Sequence, residues 1–388
     1  MVKRSVEATF LAQLKRNKSV LLLGPRQTGK TTLIKSLRNG VYFNLAETRT
    51  RRRYEVNPDL IIKEIEALPA VKRPLIIIDE IQKVPKILDP IQSLIDDQKG
   101  IFVLTGSSAR KLRRQSEINL LPGRVVSLHM DPFTNSEFPQ DLETHLIYGS
   151  LPGISTEKLV KNKSIDLRSY VDTYLEEEVR AEAIVRNLPA FYRFLEMAAL
   201  ESGKIVSFNA ISQTIGVAHT TISSYFEILE DCMMAERVDP IFESVSRKKL
   251  TKSSKYLFFD LGVRRLAARE GTKLGTPRLG ELFENFVGLE LIRENRMKIS
   301  SQICFWRDPD GPEVDWVVKT GAHYIPIEVK LSSQPSKSDA RHLQTFLKEY
   351  PCPYGGYIVC TTPRRFKLDK NILALPWQEI PDILTNAE

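Results

Sequence analysis

Four short apolar runs set the rhythm of the first third of the chain. Val20–Leu23, Leu75–Ile78 and Ile101–Leu104 are fully apolar and read as buried strands, and Val41–Leu45, with Asn44 inside it, reads as a further strand. Helical stretches separate them. Thr31–Leu37 begins one helix, and Asn57 is expected to cap another, with Pro58 in its first position and apolar residues at 60, 61, 62, 65 and 68. Strands divided in this way by helices predict a parallel sheet covered on both sides. The stretch Leu120–Pro152, with prolines at 122, 132, 139 and 152, reads as a turn-rich exit from that sheet.

Farther along, apolar spacing over residues 165–240 is helical. Within it Phe208–Ile215, the turn Gly216–Val217–Ala218 and His219–Glu230 form a helix-turn-helix pattern, in which Ser212 is the small residue at the helix crossing and Ile222 packs inward. Strand-like runs return at Tyr256–Phe259, Ile303–Trp306, Val314–Val318, Tyr324–Lys330 and Gly356–Cys360. The expected organisation has three parts: an α/β parallel-sheet unit at 1–150, a helical and winged-helix region at 151–245, and an α/β domain at 246–388.

The clearest chemistry lies just after the first strand. GPRQTGKT, Gly24 to Thr31, matches G-x-x-x-x-G-K-[ST] in full, between a strand and a helix. Glycines at 24 and 29 let backbone N–H groups wrap a phosphate without a Cβ in the way. Lys30 reaches β and γ oxygens, and the Thr31 hydroxyl is placed for Mg2+. The cofactor-binding set is Gly24, Pro25, Arg26, Gln27, Thr28, Gly29, Lys30, Thr31 and Thr32, joined by Asp79 and Thr105. LIIIDE, Leu75 to Glu80, brings Asp79 to the C-terminal edge of a buried strand for Mg2+, and Glu80 to polarise the attacking water. Thr105 or Ser107, at the end of the fourth run, could sense the γ-phosphate; a plain turn explains that segment nearly as well. Arg124 is a candidate charge-stabilising arginine, in cis or from a neighbouring subunit, or else half of a surface ion pair.

A second constellation lies near the C-terminus. Asp315 and Glu328 occupy two strand-like runs joined by Thr320-Gly321-Ala322-His323, a hairpin turn that sets the two carboxylates opposite each other. Period two places Lys330 on the same face, with Trp316 and Val329 on the other. Facing carboxylates repel unless a cation or the lysine neutralises them, and Mg2+ is a natural occupant. Glu281 or Glu284, on the preceding helix, could complete the metal shell, with Gln344 a weaker candidate. A salt-bridge ladder on a solvated sheet face is the alternative.

GPRQTGKTTL, LIIIDEIQKVP, LTGSSARKL and LLPGR, with KYLFFDLGV, GELFENFV and EVDWVV…IEVK, resemble the ordered motifs of a bacterial and archaeal family of AAA-like P-loop ATPases. The resemblance covers nearly the whole chain. It implies an additional-strand P-loop fold, ATP binding, and a C-terminal domain, formerly of unknown function, similar to the PD-(D/E)xK restriction-endonuclease-like fold. It favours Glu284 as third metal ligand beside Asp315 and Glu328. In that nuclease superfamily such a set binds Mg2+ and activates water against a phosphodiester, while the lysine (here Lys330) steadies the developing charge.

Charge sharpens the picture. The chain carries a net +8, and from Arg247 to Lys273 nine Lys or Arg accompany two acids, Asp260 and Glu270; Arg49, Arg51, Arg52 and Arg53 form a second cluster. Such blocks suit nucleic acid or are simply solvated. The helix HTTISSYFEILE contains no Lys or Arg, so it could equally serve packing or DNA reading. Four scattered cysteines and five histidines give neither a disulfide framework nor a zinc knuckle. No apolar run approaches the ~18 residues of a membrane span. The expectation is a cytoplasmic Mg2+-dependent ATPase with DNA as partner and no membrane contact, assembling as a homo-oligomer if the arginine acts in trans. The rivals are an ATP-controlled switch whose C-terminal domain binds without cutting, and a protein-remodelling ATPase.

Overall fold

The computed structural model describes residues 2–37, 40–69, 73–107, 121–181, 187–241, 253–296, 301–308 and 311–385. Two compact units emerge. One comprises Met1–Phe133 with Glu177–Ile184 and Glu227–Met234; the other comprises Thr134–Glu176, Val185–Phe226 and Ala235–Glu388. No described helix is long and apolar enough to cross a membrane.

In the first unit the chain runs α1 (Ser5–Lys15), β1 (Ser19–Leu23), α2 (Lys30–Lys35), β2 (Gly40–Asn44), α3 (Thr48–Val56), α4 (Leu60–Glu66), β3 (Leu75–Asp79), α5 (Leu88–Asp96), β4 (Ile101–Gly106) and β5 (Val125–His129). The strands form one sheet in the order β2-β3-β4-β1-β5, and every neighbouring pair is parallel. Apolar residues alternate between two cores. Leu21, Leu23, Ile76, Ile78, Phe102 and Leu104 pack on one face, and Val20, Leu22, Ile77 and Val103 on the other. That double burial is what the unbroken apolar runs require. Two boundaries depart from the sequence reading. Val125–His129, inside the supposed exit segment, is a fifth strand paired with β1. Helix α4 starts at Leu60 after Asp59, not at Pro58 after Asn57.

The second unit contains the helix-turn-helix pattern much as expected. Phe208–Ile215 starts from Ser207, whose hydroxyl accepts the Ala210 N–H, and ends at Gly216 in the left-handed region (φ 79°). Helix His219–Asp231 follows, its residues from Glu227 onward belonging to the first unit, and Ile222 is fully buried. A two-stranded antiparallel ladder joins β6 (Ala235–Val238) to β7 (Lys255–Phe258).

The same unit holds a six-stranded mixed sheet, β8 (Ser301–Arg307), β9 (Glu313–Thr320), β10 (His323–Lys330), β11 (Gly356–Cys360), β12 (Phe366–Asp369) and β13 (Ile372–Pro376), in the order β12-β13-β11-β10-β9-β8. Trp316, Val318, Ile325, Ile327 and Val329 face the core built with helix Thr276–Asn295; Val317, Tyr324, Ile358 and Cys360 face helix Arg341–Glu349. The Trp316 indole N–H donates to the Glu284 carbonyl at 3.1 Å. A Cβ at Gly288 would lie 2.4 Å from the same indole. Glycine at 288 therefore lets the long helix lie directly on Trp316, which brings Glu284 to the sheet.

Buried polar groups tie the start of this unit to its long helix. Glu290 accepts the Asn135 N–H at 2.9 Å and faces Arg293 at 3.4 Å, while Arg293 also donates to the Phe259 carbonyl at 2.7 Å. Burial pushes the Glu290 carboxyl up to about 7 against the pull of Arg293. The folded chain thus keeps this proton to higher pH than an unfolded chain, whose glutamates titrate at 4.5. Its contribution to stability is complete below pH 4.5 and is lost as pH rises through about 7. In Glu290→Gln that loss should vanish, so the stability difference between wild type and variant should change by roughly 3 kcal/mol across this window. Urea unfolding at a series of pH values measures it; parallel profiles would remove Glu290 as the titrating group.

Candidate functional site

The P-loop lies where β1 ends. At Gly24 a Cβ would sit 2.2 Å from the Met130 carbonyl oxygen, so only glycine lets the loop pass this close to the residue following β5. Gly29 has φ 99°, another conformation that a side chain resists. Lys30 leads α2 and is buried; its ammonium donates to the carbonyls of Gly24 at 2.8 Å and Pro25 at 2.7 Å. Thr28 closes the loop through a 2.9 Å bond to the Pro25 carbonyl.

Because β4 separates β1 from β3, Asp79 approaches the loop from two strands away. The Thr31 hydroxyl donates to Asp79 Oδ2 at 3.0 Å, and the Thr105 hydroxyl donates to Oδ1. Thr105 also accepts the Glu80 N–H at 3.1 Å. Thr31, Asp79, Glu80 and Thr105 thus converge as the sequence implied. Glu80 adopts a left-handed backbone (φ 60°), and its carboxylate accepts from Gln82, whose amide also reaches Ser107 at 2.8 Å. A buried carboxylate held by hydroxyls, beside a loop of backbone N–H groups, is a donor set suited to a divalent cation and a phosphate.

Two contributors carry no motif. Tyr42, on β2, donates to Asp79 Oδ2 at 2.6 Å; burial and the Asp79 carboxylate raise its pKa, which keeps it a donor. Arg4, at the start of α1, donates to the carbonyls of Thr28 and Asp131 and lies 4.8 Å from the Phe133 ring centre. Neither tyrosine on an edge strand nor an arginine ahead of the first helix stands out by spacing. Arg124, in contrast, is not brought to this cluster by its hydrogen bonds. It makes a two-pronged ion pair with Asp96 at 2.7 and 2.9 Å. The Ser108–Leu112 end of the LTGSSARKL motif lies outside the described residues.

The C-terminal constellation assembles on the β9–β10 hairpin. Thr320 pairs with His323 around Gly321, and Ile327 pairs with Trp316, which sets Glu328 opposite Asp315. The Val329 N–H donates to Asp315 Oδ2 at 2.8 Å, and Lys330 donates to Glu328 Oε1 at 2.8 Å. Glu328 is 4% exposed, and its Oε2 is buried without a hydrogen-bond partner among the described residues. Burial pushes the Asp315 carboxyl well up, helped by Glu284 and Glu328 and opposed by Lys255 and Lys330. Glu328 is raised as well, by burial against the pull of Lys330.

Glu284 reaches the cluster but engages Lys255 at 3.1 Å, as does Glu313, also at 3.1 Å. Burial alone would lower the Lys255 pKa; Glu284, Glu313 and Asp315 together carry it upward. Among the described residues, Glu284, Asp315 and Glu328 do not set three carboxylate oxygens within 4.8 Å of one another. Glu281 pairs with Arg278 and Lys204, and Gln344 with Asp369 at 2.7 Å, so neither joins the centre. The basic run is also less free than its sequence implied. Lys255, Arg264 and Arg265 are interior, Arg264 and Arg265 donate to the carbonyls of Ala199 and Ile147, and Arg269 pairs with Glu196; Arg247–Lys252 lie outside the described residues.

Comparison with known proteins agrees on the N-terminal unit. Residues 16–139 match an AAA domain family, which supports an AAA-like P-loop ATPase that binds nucleotide. Residues 139–274 and 279–380 match two families described as domains of unknown function, DUF8612 and DUF4143. The chain is similar to the uncharacterized protein Rv2008c of Mycobacterium tuberculosis, 25% identical over 97% of this chain and 84% of that protein. It is also similar to the uncharacterized protein MJ1637 of Methanocaldococcus jannaschii, 23% identical over 92% and 83%. Among solved structures, a replication initiator DnaA bound to AMPPCP and single-stranded DNA overlaps 59% of this chain and 90% of its own, at 13% identity and a TM-score of 0.29. The Pif1 helicase of Candida albicans overlaps 43% and 47%, at 15% identity and 0.24. Scores at this level are too low to define a shared fold.

Tyr42→Phe removes one of the two donors on Asp79 Oδ2 and should weaken ATP binding in the presence of Mg2+ roughly tenfold. Binding in chelator should stay unchanged. Calorimetry under both conditions checks it, and an equal loss in both would place the role of Tyr42 elsewhere.

Proposed function

We propose that the chain is a Mg2+-dependent ATPase that acts on DNA through its C-terminal region. The convergence of Thr31 and Thr105 on Asp79 beneath the P-loop is the observation that carries the ATPase reading. When nucleotide binds, the Lys30 ammonium exchanges the Gly24 and Pro25 carbonyls for β and γ oxygens, and loop N–H groups from Arg26 to Thr32 cradle the phosphates. Thr31 and Asp79 would hold Mg2+, which would neutralise charge on the phosphates. Glu80, positioned by Gln82, orients the attacking water, and Thr105 links it to Asp79. Arg124 enters this scheme only if the Asp96 pair opens, in its own chain or towards a second copy.

The DNA reading is supported by the net charge of +8, by the exposed Arg49 and Arg52 on α3, and by the helix-turn-helix followed by the β6–β7 ladder. These features fit a winged-helix region at 151–245 between an ATPase part at 1–150 and a nuclease-like part at 246–388. In that last part Asp315 and Glu328 would hold Mg2+, with Lys330 beside the developing charge and Glu284 a third carboxylate only where it leaves Lys255. The orphaned oxygen of Glu328 fits such an ion. A second reading, an ATP-controlled clamp that binds without cutting, is favoured by the engagement of Glu284 with Lys255.

Lys30→Ala should lower ATP affinity at least about 100-fold, because a charged, desolvated contact is lost. Calorimetry on the folded variant measures it, and wild-type affinity would overturn the assignment. Separately, Mg2+-dependent nicking of plasmid DNA should appear in the wild type and disappear in Asp315→Asn and in Lys330→Ala. Cleavage that survives both variants refutes this site as its origin; binding without cleavage selects the clamp.

A further inference from the structure

Lys255 is among the most enclosed side chains of its unit, 1% exposed, yet it is an ammonium. It lies 3.1 Å from Glu284 and 3.1 Å from Glu313, and 5.0 and 5.1 Å from the ring centres of Phe305 and Trp316. Both aromatic faces and both carboxylates favour a cation at that point. The other charges around it are Asp315, Glu328 with Lys330, and Arg307, which donates to the outer oxygen of Glu313 at 2.6 Å. The acidic cluster also contains the buried Oε2 of Glu328, which accepts no hydrogen bond among the described residues.

We propose that Lys255 is a built-in counter-cation that competes with metal for Glu284 and so confines the centre to a single, deliberately weakened divalent-ion site at Asp315 and Glu328. The inference rests on the metal reading of those two carboxylates. Glu313 and Lys255 are tuning residues, not ligands. Glu313 draws the ammonium away from Glu284, and the ammonium offsets charge that would otherwise attract the ion more strongly. Removing either partner should therefore move metal affinity in opposite directions. Damage to the fold would instead lower both.

The test is Mn2+ titration of the nucleotide-free full chain, read by electron paramagnetic resonance, with thermal unfolding as a check on folding. Wild type should bind Mn2+, and Asp315→Asn should not. Lys255→Met should bind roughly tenfold more tightly, because a unit positive charge a few ångströms from the ion is gone. Glu313→Gln should bind several-fold more weakly, because a negative charge is lost and the ammonium is left to Glu284 alone. A folded Lys255→Met with unchanged or weaker affinity overturns the proposal. If Lys255→Met does not fold, Glu313→Gln decides: unchanged or tighter binding overturns it. Equal binding by wild type and Asp315→Asn would instead sink the metal reading underneath, leaving the assignment of Lys255 without a site.

Discussion

A carboxylate that leaves water must find hydrogen-bond donors or a cation within a few ångströms, and in this chain that requirement shapes both candidate centres. Asp79 meets it with hydroxyls from three different elements, Thr31 on α2, Tyr42 on β2 and Thr105 on β4. Those contacts in turn fix how the P-loop, the sheet edge and the strand between β1 and β3 are arranged. Asp315 and Glu328 meet it with the Val329 N–H, Lys330 and the nearby Lys255. The first centre is compensated by neutral hydroxyls, the second by a backbone N–H and two ammonium groups.

Local pattern was enough for much of this. The unbroken apolar runs predicted β1, β3 and β4 within a residue or two, since burial on both faces of a parallel sheet leaves no room for polar alternation, whereas Val41–Leu45, which contains Asn44, falls on the half-exposed edge strand β2. The Gly321 turn specified the hairpin register, and a register once set places Glu328 opposite Asp315 without further information. What escaped was what depends on long-range partners. Val125–His129 is half-exposed along most of its length, as an edge strand should be, and its short VVSLH sequence sits among turn residues. Its pairing with β1 is therefore visible only in the folded sheet.

The same distinction applies to the charged residues. A run of nine cations reads as a surface for polyanions, but sequence density does not say which side chains point outward. In the folded chain Arg264 and Arg265 satisfy backbone carbonyls in the interior, and Lys255 neutralises carboxylates from a helix and a strand far away in sequence. An interior guanidinium or ammonium of this kind persists because its hydrogen bonds and counter-charges replace the water it loses. Charge counting alone overstates the free positive surface wherever such groups are structural. For the same reason, sequence left Arg124 between a charge-stabilising role and a surface ion pair, and its partner Asp96 is visible only in the folded chain.

Three lysines near the two centres donate to oxygens of their own chain, and the nature of those oxygens separates their roles. Lys30 rests on the neutral carbonyls of Gly24 and Pro25, and a phosphate oxygen carrying formal charge is a stronger acceptor than either. Exchange is therefore downhill once a triphosphate arrives. Lys330 rests on one carboxylate and is about one-third exposed, so water can stand in as it moves. Lys255 rests on two carboxylates with no solvent to replace them, and an incoming ligand would have to supply comparable charge in the same enclosed space. Lys330 is thus less confined than Lys255, while Lys30, although buried, has neutral acceptors among its partners that an anion can outcompete. These differences in acceptor charge and exposure support the proposed roles: Lys30 at the nucleotide, Lys330 beside Glu328, and Lys255 setting the field around Asp315 and Glu328.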